Sequence, residues 1–278
     1  MLDIKYSQNF YTNSKKLHQI LENISFSKDD LILDIGAGNG FLTKELAKYS
    51  ETVIAYELDS KYFQILKREL DQKIDIRNED FLKAKLPQKS FKVFSNIPFT
   101  LTSAVISKLT NYDSFLEEAY LFVQKEAGDR YVGDMINTQI ATVLNFKYEV
   151  SVVERFDSRD FSPVPNVEIV LLKIKKREGD IFDFNLFRDF VTYIFNQTNA
   201  RVENTFEKIF TEKQMVYISK ELKRNGYVKP SDIDKGYYIE IFKYFKMNGP
   251  KYLERVNGFY GKYSSKHFKR EKVFRTRI

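Results

Sequence analysis

The chain has no cysteine and no tryptophan, and its only histidines are His18 and His267, near opposite ends of 278 residues. The absence of cysteine excludes disulfide scaffolds, thiolate-bound zinc, iron–sulfur clusters and thiol nucleophiles together. Two distant histidines argue against a Ser–His–Asp triad and a histidine-rich metal centre, so no metal is expected. No apolar run approaches the length of a membrane span. The opening Met1-Leu-Asp-Ile-Lys-Tyr-Ser lacks the apolar stretch of a secretory signal. These absences predict a cytoplasmic protein, and a monomer is expected.

Hydrophobic residues make up 43% of the chain, with 25 Phe and 18 Tyr. That is enough for a sizeable core, and the length suits one large domain with a small one. The net charge of +7 is unevenly placed. Residues 1–250 carry 36 basic and 36 acidic side chains, whereas 251–278 carry nine basic and two acidic ones. A basic tail on a neutral body points to a polyanion, nucleic acid or an acidic membrane, unless it is simply solvated.

Residues 30–175 alternate strands with helices, which predicts an α/β fold with a mostly parallel sheet covered on both faces. Strands are expected at Leu31–Ile35, Thr52–Tyr56, Ile74–Arg77, Lys92–Ser95, Ala119–Val123, Tyr148–Phe156 and Glu168–Ile174. Helices are expected at Gly40–Tyr49, Ser60–Leu70, Ser103–Leu109 and Asp134–Phe146. The last two strands lack an intervening helix and read as an antiparallel edge pair. Seven strands closed this way differ from the six-stranded dinucleotide fold. After the charged stretch Lys173–Asp180, helical spacing governs Phe184–Phe195, Ala200–Phe210, Glu212–Asn225 and Ser231–Phe245. The division expected is a catalytic domain at 1–176, a small helical domain at 177–250 and the tail at 251–278.

The first strand runs into Asp34-Ile-Gly36-Ala-Gly38-Asn-Gly40 and then a helix. Glycines there allow a tight turn and close approach of a ligand to the backbone. The spacing is G-x-G-x-G, not the G-x-G-x-x-G of a pyrophosphate loop. Glu57 ends the next strand, where a carboxylate accepts ribose hydroxyls. Asp80 follows the third, suited to an adenine amine, with Phe81 lining the ring. Each feature alone is common. In order, at strand ends, they point to an adenosine cofactor, and S-adenosylmethionine suits the spacing and strand count better than NAD.

The fourth strand leads to Asn96-Ile97-Pro98-Phe99. Methylating an exocyclic amine is hard because its lone pair is delocalised into the base. A carboxamide oxygen (Asn96) and a backbone carbonyl (Ile97) that accept both N–H bonds localise it. Pro98 stiffens the turn, and Phe99 offers a face to a flipped base. No general base is required, so the scarcity of histidine is no obstacle.

At these residues the chain resembles the rRNA adenine dimethyltransferases, which comprise Erm-type 23S enzymes and the housekeeping small-subunit dimethylases. The match runs through Gln8-Asn9-Phe10, Asp34–Gly40, Glu57-Leu58-Asp59, Glu79-Asp80-Phe81, Asn96–Phe99 and Phe161-Ser-Pro-Val-Pro-Asn-Val167, and covers roughly residues 8–245. The resemblance implies the Rossmann-like seven-stranded S-adenosylmethionine-dependent methyltransferase fold with a small C-terminal helical RNA-recognition domain. It places Asn9 and the Tyr11 backbone at the methionine end of the cofactor. Gly36, Gly38 and Gly40 hold its centre, Glu57 with Leu58 the ribose side, and Asp80 with Phe81 the adenine. Asn96 bridges cofactor and target amine; Phe99 stacks on one face of the target base and Phe161 on the other.

Phe99 stands where many members have Tyr. The helical domain lacks the basic run of housekeeping members and carries Phe206–Gln214, closer to the Erm type. A 23S rRNA target and macrolide–lincosamide–streptogramin B resistance are therefore favoured. Small-subunit rRNA is the alternative, and a non-catalytic RNA-binding factor is the reading of another class. With an rRNA substrate, a membrane partner is not expected, and the interleaved aromatics of 251–278 suit RNA stacking.

Overall fold

The computed structural model describes residues 9–111, 113–134, 136–179, 183–199 and 201–263. Chain contacts divide it into two units. The first holds Met1–Val132 and Tyr148–Arg177, and the second Gly133–Lys147 and Glu178–Ile278.

The first unit is built on a seven-stranded sheet. Its strands are β2 (Leu31–Ile35), β3 (Thr52–Tyr56), β4 (Asp75–Arg77), β5 (Phe91–Ser95), β6 (Leu116–Gln124), β7 (Tyr148–Phe156) and β9 (Ile169–Lys176), in the order β4-β3-β2-β5-β6-β9-β7. The first five are parallel; β9 runs antiparallel to both β6 and β7. All five residues of β2 are buried, as a central parallel strand covered on both faces requires. β7 alternates exposed with less exposed positions and forms the edge.

Helices of this unit are α1 (Ser14–Glu22), α2 (Phe41–Leu46), α3 (Ser60–Glu69), α4 (Thr102–Leu109) and α5 (Lys125–Val132). Asn13 caps α1 by accepting the Lys16 N–H at 3.0 Å, and Asp59 caps α3 by accepting the Lys61 N–H at 2.8 Å. A separate two-stranded ribbon pairs β1 (Phe10–Tyr11) with β8 (Phe161–Ser162), aligning Phe10 with Ser162 and Tyr11 with Phe161. α1, α5 and this ribbon add to the elements that hydrophobic periodicity indicates.

The second unit comprises α6 (Gln139–Lys147), α7 (Phe184–Phe195), α8 (Val202–Phe206), α9 (Glu212–Arg224), α10 (Lys235–Lys246) and α11 (Pro250–Val256). Its core is aromatic. Phe146 stacks on Phe187 with centroids 4.1 Å apart, and Phe190 meets Phe242 and Phe245 at 5.5 and 5.0 Å.

Two expected boundaries change. The helix expected as a cover for the sheet at Asp134–Phe146 begins at Gln139, and Phe146 buries its side chain in the helical core with Val143 packed against it, so a catalytic domain continuous over 1–176 is not what the contacts give. The expected tail also starts too early. Buried Asp189 on α7 accepts the backbone N–H groups of Gly258 and Tyr260, both at 2.8 Å, and Phe259 packs on Tyr193 at 5.1 Å. Phe259 is thus a packing residue rather than a ring free for RNA. The rest of the basic run, 264–278, lies outside the described residues.

Replacing Asp189 with alanine strands two backbone donors, and the helical unit should lose about 2–3 kcal/mol in urea unfolding. A change below about 0.5 kcal/mol, the scale of an inconsequential surface substitution, would show that the clamp is dispensable.

Candidate active site

The carboxyl ends of β2, β3 and β5, and the turn after β4, bring the motifs together. After β2 the chain turns sharply, with Gly36 and Ala37 donating to the Tyr56 carbonyl at 2.8 and 3.0 Å. The φ angles of Gly36, Gly38 and Gly40 are 76°, 55° and 80°. A Cβ at Gly38 would lie 2.5 Å from the Phe10 ring, and one at Gly40 2.6 Å from Leu66. Only glycine meets both the backbone angle and the contact at these two positions. A Cβ at Gly36 would lie 3.6 Å from Pro98 Cδ, so the proline of the second motif rests against the glycine turn.

Glu57 is 4% exposed. Its Oε2 accepts the Gly38 N–H and its Oε1 the Asp59 N–H, each at 2.7 Å. Each carboxylate oxygen accepts more than one hydrogen bond, so both retain capacity for a ribose hydroxyl. Asp80 uses Oδ1 to accept the Leu82 N–H at 2.9 Å, while Oδ2 lies 3.9 Å from the Lys83 ammonium. One oxygen therefore caps a turn and the other stays open to an amine. Leu58, 53% exposed, supplies apolar surface beside them. Phe81 differs from expectation. It is buried edge-on against Tyr56 at 5.2 Å and beneath the Lys108 ammonium at 5.1 Å, so its ring backs the Asp80 turn instead of facing a ligand.

The second motif follows β5. Ser95 Oγ accepts the Ile35 N–H at 2.8 Å and fixes the end of β5 against β2. The Asn96 carboxamide donates from Nδ2 to the Asn9 carbonyl at 2.6 Å. That bond decides which way the amide faces, with Nδ2 toward Asn9 and Oδ1 away from it. Among the described residues nothing donates to Asn96 Oδ1 or to the carbonyl of Ile97. Pro98 opens a 3-10 turn, Phe99–Leu101, whose Leu101 N–H bonds to the Pro98 carbonyl at 2.8 Å. Phe99 is partly buried against the core.

The β1–β8 ribbon supplies Asn9 and Tyr11. Thr12 N–H and Oγ1 both donate to the Asp160 carbonyl, at 2.8 and 2.9 Å, and Asn13 Nδ2 donates to Asp160 Oδ1 at 2.8 Å. Gln8 lies outside the described residues. Tyr11 is buried, so its backbone is what a cofactor can meet; burial, then the charges of Asp160 and Glu154, push its phenol well up. Phe161 is corrected here. It is 2% exposed, enclosed by Tyr11, Phe156 and Phe122 at 5.2, 5.9 and 6.0 Å, and has no face to offer a base. Its ring holds Tyr11 in place.

Three supporting residues escape a reading of the sequence. Asp34, fully buried, accepts from Thr43 Oγ1 at 2.6 Å while its Oδ1 has no partner. Burial raises its carboxyl to about 7; the hydrogen bond from Thr43 opposes the rise, and Glu57 adds to it. Lys108 of α4 donates to the carbonyls of Leu82 and Ala84, bracing the Asp80 turn. Burial lowers its pKa, against the upward pull of Asp80 and Glu79. Asp160 locks the ribbon. Only Asp34, an acid ending an apolar strand, leaves a local sequence signal. Among the described residues no three His, Asp or Glu side chains group to hold a metal ion.

Antiparallel β9 lying between β6 and β7 gives the sheet order of the Rossmann-like S-adenosylmethionine-dependent methyltransferases. Two solved structures share the fold. The 23S rRNA methyltransferase ErmE superposes with a TM-score of 0.76 at 23% identity, over 86% of this chain and 100% of that one. A dimethyladenosine transferase from Plasmodium falciparum does so at 0.69 and 18%, over 86% and 97%. Residues 2–247 match the family model for ribosomal RNA adenine dimethylases, and the chain belongs to that family. Similar proteins include an rRNA adenine N-6-methyltransferase from Streptococcus sanguinis, 29% identical over 90% of this chain and 99% of the relative. A ribosomal RNA small subunit methyltransferase A from Thermotoga petrophila is 31% identical over 77% and 83%. The chain is thus an rRNA adenine methyltransferase, and family and fold together imply S-adenosylmethionine as methyl donor.

The raised Asp34 pKa has a defined sign. Its folded value, about 7, exceeds the ordinary 3.8. The protonated carboxyl is therefore favoured by folding, and that contribution is full below pH 3.8 and fades as pH rises through 7. Relative to Asp34→Asn, the wild type should lose unfolding free energy between pH 4 and pH 8. Parallel pH profiles of the two proteins in denaturant titrations would refute this.

Proposed function

We propose that the protein transfers methyl groups from S-adenosylmethionine to the exocyclic amine of an adenine in 23S rRNA, conferring macrolide–lincosamide–streptogramin B resistance. The observation that carries the chemistry is the pair of unengaged acceptors, Asn96 Oδ1 and the Ile97 carbonyl, with the amide oriented by Asn9. The residues present also suit the cofactor. Glu57 has acceptor capacity for ribose, Asp80 Oδ2 for the adenine amine, Leu58 an apolar face, and the glycine turn lets a ligand approach closely. When bound, S-adenosylmethionine supplies an electrophilic methyl group.

The chain's own residues do the remainder. Asn96 Oδ1 and the Ile97 carbonyl each accept one N–H of the target amine, which draws its lone pair out of the ring. Pro98 holds the turn, and the exposed part of Phe99 stacks on the base. The amine's spare proton leaves to water after transfer, so no side chain near Asn96 has to titrate.

For the 23S target, the support is the single Arg in Phe195–Asn204 and the Erm-like Phe206–Gln214 stretch. The Thermotoga petrophila relative supports the second reading, a small-subunit rRNA substrate in ribosome biogenesis. Methyl mapping on both rRNAs after expression in a drug-sensitive host separates them. Methylation of 23S rRNA with a gain of resistance is expected; methylation confined to 16S rRNA, with no change in resistance, selects the second reading. Asn96→Ala should reduce turnover by about 10²–10³ while leaving cofactor binding measurable by calorimetry, and near-wild-type turnover would remove Asn96 from the mechanism.

A further inference from the structure

Away from the cofactor and chemistry residues, the helical unit carries an aromatic surface that its core does not use. Tyr217 of α9 and Tyr244 of α10 lie parallel, with centroids 5.6 Å apart and ring planes 8° apart. They are 48% and 42% exposed, and their neighbours Val216 and Met247 are 77% and 81% exposed. The pair is fixed in advance. Gln214 donates from Nε2 to the Tyr244 carbonyl at 3.0 Å, while its Oε1 accepts the Thr211 N–H in a capping box that starts α9.

The same two helices carry Lys213, Lys220 and Lys243. Lys213 and Lys220 lie four residues before and three after Tyr217, on the same face of α9. Lys243 precedes Tyr244, and among the described residues none of these three lysines is in an ion pair. Of the acids nearby, Glu221 pairs with Arg224 at 3.7 Å, and Glu221 and Glu240 both act on the Tyr237 hydroxyl.

We propose that Tyr217 and Tyr244 form a stacking shelf for an unpaired nucleotide of the RNA substrate, with Lys213, Lys220 and Lys243 holding its phosphates. The inference rests on the reading of rRNA as substrate. A protein partner would favour an apolar centre depleted in lysine. A nucleotide needs what is found here, a flat π surface beside free cations, and a shelf already assembled lowers the cost of ordering it. Stacking accepts every base, so the shelf adds affinity without selecting the adenine that is methylated.

The test uses the full chain and a single-stranded RNA oligonucleotide carrying 2-aminopurine. Wild-type protein should alter the fluorophore's emission, and Tyr217→Ala/Tyr244→Ala should abolish that change and weaken Kd about tenfold. Tyr217→Phe/Tyr244→Phe keeps the rings and should bind like wild type. Lys213→Gln/Lys220→Gln/Lys243→Gln should flatten the salt dependence of log Kd by about 2. Circular dichroism and urea unfolding check that the helical unit of each variant is folded. Unchanged Kd and emission in the alanine variant, or equal losses in the phenylalanine one, overturn the shelf. So does sedimentation in which wild type dimerises through these tyrosines without any effect on RNA. Absence of methylation on any rRNA would instead overturn the functional reading, since the oligonucleotide assay does not depend on turnover.

Discussion

Glu57 directly follows β3, with each carboxylate oxygen taking one backbone N–H, from Gly38 on one side and from Asp59 on the other. A single buried side chain thereby fastens the loop after β2 to the loop after β3. In a parallel sheet the loops at the carboxyl edge leave neighbouring strands independently, and a ligand held there depends on their separation staying fixed. Ser95 makes the equivalent tie between β5 and β2 through the Ile35 N–H, and Pro98 rests against Gly36. With Asn9 bonded to Asn96, four chain segments distant in sequence behave as one cradle.

The sheet was legible because buried parallel strands are short apolar runs, and the antiparallel β7–β9 pair because no helix fits between them. The glycine turn, Glu57, Asp80 and Asn96 stood out because each departs from the apolar pattern where a strand ends. The failures have a common cause. An aromatic residue beside a motif can face either way, and for Phe161 and Phe81 the outcome is set by Tyr11 and Lys108, which are remote in sequence. Helix periodicity reports that Asp134–Phe146 has an apolar face but not which core receives it. The true end of the helical unit depends on Asp189, a buried acid in Phe184–Phe195 whose backbone partners, Gly258 and Tyr260, are remote in sequence. α5 was hidden by its charged opening and internal Gly128.

Aromatic packing does much of the positioning in both units. Tyr11, Phe122, Phe156 and Phe161 form a cluster that backs the β1–β8 ribbon, so the segment carrying Asn9 is supported by rings on one side and by Asp160 on the other. In the helical unit Phe146, Phe187, Phe190, Phe242 and Phe245 form the corresponding core. Rings that interlock edge to face define relative orientation better than aliphatic chains of similar area. In a chain without cysteine, that geometry stands in for covalent bracing.

The placement of α6 has a consequence for how such a gene can be rearranged. Because Phe146 stacks on Phe187, the helical unit is assembled from two stretches of chain, 133–147 and 178 onward, separated by two strands of the sheet. A recombination joint placed at the obvious boundary near residue 177 would exchange α7 to α11 while leaving the parental α6 behind. The newcomer's core would then meet a helix shaped for a different partner. Exchange of target-recognition parts between relatives is therefore constrained to double crossovers, or to partners whose α6 and α7 have stayed mutually compatible.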